Sequence, residues 1–218
     1  MKEVLSMKKV NIFLLTLLCV LCLSIGNANA TIMLYTGVEG GSGDVENVLF
    51  NQPGLIATGG MVQGGLNQSH YLVDITGNEP LYTPPGGQAR VVAVDGSLNS
   101  LIIRMDDPTV AFNKIQFNID AMVSGHVSLT FKDQSGVLFS FNPILSASGA
   151  NWFTAIATDG QLIADATISA PLVGISDVQQ IRIGAATSVP VPEPATMLLL
   201  GSGLMGLAVF SRKKLLRK

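Results

Sequence analysis

His126-Val127-Ser128-Leu129-Thr130-Phe131-Lys132 alternates without a break, with Val127, Leu129 and Phe131 falling on one face and His126, Ser128, Thr130 and Lys132 on the other. Successive side chains in a strand point to opposite faces, so this period of two predicts a strand with one dry and one wet side. Asp133-Gln134-Ser135-Gly136 then turns the chain into Val137-Leu138-Phe139-Ser140-Phe141, which makes a hairpin. Working outward, the same pattern predicts strands near 31–36, 70–75, 90–94, 100–105, 114–119, 151–158, 161–169 and 178–183, with a tight turn at Asp159-Gly160. No stretch sustains a helical period over three turns. Residues 37–66, with Gly-Gly pairs at 40–41, 59–60 and 64–65, are expected to be long loops around one or two weak strands. About ten short antiparallel strands with one solvated face favour an all-β sandwich of jelly-roll type, although sequence separates sandwich from barrel poorly.

Residues 31–188 form the expected extracellular domain. At 158 residues this region is long enough to bury roughly 68–70% of its unfolded surface in one core. It must do so without disulfides, because the only cysteines, Cys19 and Cys22, lie upstream of it. It holds five basic side chains (Arg90, Arg104, Lys114, Lys132 and Arg182) against thirteen acidic ones, a net of −8 that the whole-chain value of −2 conceals. Such a domain repels nucleic acid and anionic head groups, so no nucleic-acid partner is expected.

The two ends carry addresses. Lys2, Lys8 and Lys9 precede an apolar run from Ile12 to Ile25, and Ala28-Asn29-Ala30 follows as a small-residue cleavage site. Residues 1–30 are therefore expected to be a helical signal peptide, cut by signal peptidase between Ala30 and Thr31. At the other end, residues 189–196 form a Pro-rich stalk whose prolines forbid a helix. Residues 195–211 are expected to be a single transmembrane helix, of which Ala195 to Phe210 are uncharged. Those sixteen residues rise only about 24 Å against a hydrocarbon core of about 30 Å, which makes a weak anchor. Residues 212–218 hold the basic stop of Arg212, Lys213, Lys214, Arg217 and Lys218, which should stay cytoplasmic and leave residues 31–188 outside.

Pro192-Glu193-Pro194, the short apolar helix and the basic end, in that order, resemble the PEP-CTERM sorting tail of Gram-negative bacteria. That segment is also described on some ice-binding proteins. The resemblance implies that Pro192, Glu193 and Pro194 are the recognition motif of an exosortase, a membrane-embedded transpeptidase-like enzyme that processes the tail. It also implies an exported protein, held at the membrane at least transiently and displayed at the cell surface or in the extracellular matrix. Gly201-Ser202-Gly203-Leu204-Met205-Gly206 matches a dinucleotide fingerprint by letter. It lacks the strand, the βαβ unit and the acidic residue that would give it a role, and its glycines suit helix packing in lipid instead.

Reactive side chains are sparse, and neither a catalytic set, a metal site nor a cofactor is expected. His70 and His126 are far apart in sequence and each is expected on a solvent face. Asp106-Asp107-Pro108 and Asp133 with Ser135 could offer oxygens to Ca²⁺, but aspartates at turns are expected simply to bond nearby backbone. Tyr35, Tyr71, Tyr82 or Trp152 could present a face for stacking on a sugar, with Trp152 expected in the core. The composition points to a non-enzymatic surface or exopolysaccharide-associated protein. A carbohydrate-binding module is the alternative, with exopolysaccharide as its partner, and a secreted hydrolase comes third. N-terminal sequencing of the exported protein should begin at Thr31, whereas an intact residue 1 would mean a retained N-terminal helix.

Overall fold

The computed structural model describes residues 31–85 and 89–189. The signal peptide, membrane helix, sorting motif and basic tail expected from sequence lie outside the described residues. Within them the chain is all-β, with one 3-10 turn at Ser42–Asp44. The first strands are β1 (Ile32–Thr36), β2 (Glu46–Leu49), β3 (Thr58–Leu66), β4 (Leu72–Tyr82), β5 (Arg90–Ala93), β6 (Ser100–Met105), β7 (Val110–Ala111) and β8 (Lys114–Ala121). They continue as β9 (Gly125–His126), β10 (Ser128–Asp133), β11 (Leu138–Phe141), β12 (Ile144–Leu145), β13 (Asn151–Ala157), β14 (Ile163–Ser169), β15 (Ile175–Gly184) and β16 (Thr187–Ser188).

The long strands form two halves. One runs β1-β13-β8-β15 and the other β3-β4-β6-β14-β10-β11, with every pairing antiparallel. Two short strands join them. β2 pairs with β15 through Arg182↔Asn47 and with β3 through Val48↔Leu66, while β5 pairs with β15 through Val178↔Val91 and with β4 through Leu81↔Ala93. β15 thus changes partner along one edge, and it does so at a bulge between Gln179 and Arg182. There Gln180 sits at φ 53°, in the left-handed region, and its N–H donates to Ala89 O. The extra residue shifts the alternation, so that Val178, Ile181 and Ile183 all reach the core.

That core is continuous between the halves. Ile115, Phe117 and Ile119 of β8 meet Leu129 and Phe131 of β10, Leu101 and Ile103 of β6, and Ile75 of β4 in one cluster. Phe117 and Phe153 pack with ring centroids 6.0 Å apart, and Phe131 with Phe141 at 6.1 Å. The two turns read from sequence form as expected: Gly136 N–H donates to Asp133 O, and Asp159 and Gly160 take φ 56° and 78° between β13 and β14.

Residues 37–66 depart from expectation. β3 is a nine-residue strand running through both later Gly-Gly pairs and zipped to β4 from Gly65↔Leu72 to Thr58↔Tyr82. Gly64 and Gly65 lie under side chains of the segment Val48 to Gln52. A Cβ on Gly64 would overlap Val48 Cγ1 and lie 2.9 Å from Phe50 Cε1, and one on Gly65 would overlap the Gln52 amide. Side chains packed against the strand, rather than loop freedom, explain Gly64 and Gly65, while Gly59 takes φ 145° and Gly60 stands in open space. His70 also differs, standing in the turn before β4 at φ 61° rather than on the strand.

Both ends of the domain leave from one pole. Thr158 N–H donates to Thr31 O, Ala157 N–H to Asn113 O, and Val189 N–H to Thr109 O at 2.7 Å. Val189, counted with the stalk on sequence, is therefore still paired to the domain. Among the described residues no helix is long and apolar enough to cross a membrane. Gly64→Ala should destabilise the domain by about 1–3 kcal/mol through overpacking, measured by urea denaturation; an unchanged midpoint would remove the steric account.

Candidate functional site

The outer faces of the two halves differ in how well their polar groups are satisfied. Across β3, β4, β6, β14 and β10 runs a ladder in which Gln63 Nε2 donates to Asp74, Asp74 meets Arg104 at 3.9 Å, and Asp165 pairs with Lys132. Thr130 and Ser140 hydroxyls extend it at 3.0 Å. Opposite charges face one another at Asp74 and Arg104, Arg104 and Asp165, and Asp165 and Lys132, as cross-strand neighbours should.

The outer face of the β1-β13-β8-β15 half is built otherwise. Lys114, Gln116 and Asn118 of β8 point away from the core, on the alternate positions to Ile115, Phe117 and Ile119, yet all three are buried. Part of their cover is the segment from Gly37 to Asp44. Gln116 Nε2 donates to Glu39 O at 2.7 Å, Thr154 Oγ1 to Gly37 O at 2.8 Å, and Glu39 N–H to Thr154 Oγ1 at 3.1 Å. Lys114 Nζ lies 3.9 Å from Asp44 Oδ2, beside a cleft of about 500 Å³ that Glu46 and Gln68 also line.

Beyond that segment the cover is a side-chain pair. Trp152 stands opposite Asn118, and Arg182 opposite Gln116. The Arg182 guanidinium lies over the Trp152 ring, 5.3 Å from its centroid, bridging from β15 to β13 above β8. Trp152 is thus half-buried on the outer face, while its neighbour Phe153 enters the core. The expected core position for the tryptophan is corrected: alternation gives one inward place, and Phe153 holds it. Tyr35, opposite Thr154 on β1, shares this outer face, whereas Tyr71 precedes β4 and Tyr82 ends it, in the other half. Of the four aromatic candidates the fold brings Tyr35 and Trp152 together.

This face holds most of the unmet polar atoms. Among the described residues, Gln116 Oε1, Asn118 Oδ1 and Asp177 Oδ1 are buried side-chain oxygens without a hydrogen-bond partner, joined elsewhere by Gln161 Oε1. Arg182, alone of the five cations of residues 31–188, has no carboxylate within 4.0 Å among the described residues, and its side chain makes no hydrogen bond there. Beside the bulge a cleft of about 280 Å³ opens between Asn47, Ala89, Gln180 and Arg182. Sequence reasoning missed Gln116, Asn118 and Arg182. The signal available for Arg182 was Val178-Gln179-Gln180-Ile181, where a doubled glutamine breaks the alternation.

Asp177 and Asp120 face each other across β15 and β8. Burial pushes the Asp177 carboxyl up, Asp120 adds to this, and Arg90, 3.4 Å away, opposes both. Neither aspartate lines the clefts at Lys114 and Arg182. The turn aspartates behave as capping groups. Asp133 Oδ1 accepts from Ser135 and Val137 N–H, and its Oδ2 from Gln161 Nε2; burial would raise its carboxyl, but these bonds outweigh that and hold it below the usual range. Asp107 is lowered by the Thr109 hydroxyl and N–H. His126 Nδ1 lies 3.2 Å from Asn142 O on an exposed strand. Among the described residues no three His, Cys, Asp or Glu side chains are grouped to share a metal ion.

Comparison with known proteins locates the PEP-CTERM protein-sorting motif at residues 190–213. That span contains Pro192-Glu193-Pro194 together with Arg212 and Lys213. No curated protein matches the chain. Among solved structures the chain is similar to a mutant of the family 29 carbohydrate-binding module CBM29-2, at 10% identity, 73% of this chain, 85% of that one and a TM-score of 0.27. It is similar also to a structure described as carbohydrate-binding module family 29, at 13% identity, 73% and 88% coverage and a TM-score of 0.25. Scores that low carry no assignment of fold or ligand.

A depressed carboxyl such as Asp133 stabilises the fold above its unfolded pKa and loses that contribution as pH falls through the folded value. A raised one such as Asp177 does the reverse, costing stability as pH rises through its folded value. Asp120→Asn should therefore stabilise the domain at neutral pH by up to about 1 kcal/mol, a gain that disappears on acidification through the carboxylate range. Denaturation midpoints at several pH values test this, and a loss at neutral pH would refute it.

Proposed function

We propose that this chain, which carries a PEP-CTERM sorting motif, is exported and sorted to the surface or extracellular matrix of a Gram-negative cell, where its β domain serves as a non-enzymatic ectodomain. The observation that carries the reading is the family match at 190–213, which begins one residue after the last described backbone bond of the domain, at Val189. Signal peptidase and an exosortase-like enzyme are the implied partners, with Ala195 to Phe210 holding the substrate at the membrane until the tail is processed. Replacing Pro192-Glu193-Pro194 by three alanines should leave Arg212 to Lys218 on the exported protein. Mass spectrometry of the C-terminus reads this directly, and normal shortening of the variant would overturn the motif's role.

A second reading, carbohydrate binding, is favoured by the aromatic pair on the outer face: Tyr35 and Trp152 are spaced across neighbouring strands beside unmet hydrogen-bonding oxygens. Within this reading the sandwich is of jelly-roll type, supported by β8, β10, β13, β14 and β15 passing alternately between the halves. The hydrolase reading gains nothing from Asp120 and Asp177, whose nearest supporting group is the ion-paired Arg90. Saturable binding of the exported protein on a glycan array would support the carbohydrate reading; none at high protein concentration would leave the scaffold reading alone.

A further inference from the structure

We infer that the strip Tyr35, Trp152, Asn118, Gln116 and Arg182 is a binding site for a neutral polysaccharide, with Arg182 as its displaceable cap; this rests on the carbohydrate reading above. The strip crosses β1, β13, β8 and β15 at right angles, spanning roughly 14 Å at the usual strand spacing. Its middle is polar and unfinished: Asn118 Oδ1 and Gln116 Oε1 lack donors, although Asn118 is 5% and Gln116 1% exposed. Its outer end holds the Arg182 guanidinium, which among the described residues donates no hydrogen bond and lies over the Trp152 ring. Buried acceptors are normally satisfied, so a row of unmet acceptors beside idle donors calls for a group that both gives and takes hydrogen bonds.

A sugar hydroxyl is such a group. With Arg182 swung off Trp152, the indole offers a face to the C–H side of a pyranose, hydroxyls donate to Asn118 Oδ1 and Gln116 Oε1, and the guanidinium donates back to hydroxyl oxygens. A peptide strand fits less well, because one added along the outer edge of β1 would run parallel to the strands and leave Asn118, Gln116 and Arg182 unengaged, whereas the strip crosses them. A polyanion suits Arg182 but not its setting, a domain of net charge −8 with Asp120 and Asp177 on the same face. The bulge is what makes the site, since it brings Arg182 opposite Gln116 and opens the cleft of about 280 Å³ at the strip's end.

Affinity electrophoresis of the exported protein through gels containing a neutral β-glucan, a neutral mannan or sodium alginate tests the inference. Retardation by at least one neutral polymer is expected, weakened tenfold or more by Trp152→Ala and by Arg182→Ala but unchanged by Tyr71→Ala on the other half. Asn118→Leu is the discriminating variant: it removes an unmet acceptor, so its melting temperature should hold or rise while retardation falls. Neutral binding that survives the Trp152, Arg182 and Asn118 changes would overturn the site and leave the carbohydrate reading standing. Retardation by alginate alone would overturn the neutral ligand class. Absence of retardation in all three gels would overturn the carbohydrate reading and the site with it.

Discussion

Everything in this fold depends on how β15 satisfies its second edge. Its first edge is committed to β8 along nearly its whole length, but no single strand covers the other. β5 takes Val178 and Gln179, β2 takes Arg182 and Ile183, and Gln180 spans the gap in a left-handed conformation with its N–H given to Ala89. A non-glycine residue at positive φ is costly and persists only where its surroundings insist on it. Here the demand is closure: without the partner switch the two halves would not share a hydrogen-bonded seam, and the parity change would not send Ile181 and Ile183 inward. The same offset decides which residues appear outside, and so the polar face is a by-product of closing the sheet.

The strands legible in the sequence were those whose two faces differ. β10 alternates apolar with polar residues and β6 does so except at the exposed Ile102, and their outer polar residues form a satisfied ladder. β8 was legible as a strand but not as a site, because polar residues on its outer face look the same whether water or other protein covers them. β3 was hidden for a different reason. Its glycines give no alternation to read, and the need for Gly64 and Gly65 arises from Val48 and Gln52, residues brought over them only by the finished fold. Trp152 was expected in the core because it is the only tryptophan, whereas register assigns the inward position to Phe153.

The contrast between the two outer faces also accounts for the charge. Thirteen carboxylates against five cations leave a surplus that must be held by hydrogen bonds or by water. Asp133, Asp107 and Glu46 use local N–H and hydroxyl donors for this, which is why each is lowered despite the acidity of the whole. Asp177 is the exception, buried opposite another aspartate and next to a single arginine. Three of the four unmet buried side-chain oxygens among the described residues thus lie on one face.

The pole from which both ends depart has a mechanical meaning. β16 is two residues long, pairs among the described residues with β7 alone through Thr187↔Ala111 and Ser188↔Val110, and is followed by Val189, whose N–H donates to Thr109 O. Tension transmitted from a membrane-held tail would arrive at this short strand first and load its hydrogen bonds one after another, as a zipper is opened, rather than all at once. Peeling it would give the tether a few residues of slack while β15 and the core stayed intact, so the domain would part from its mooring by small steps before any of its long strands felt the pull.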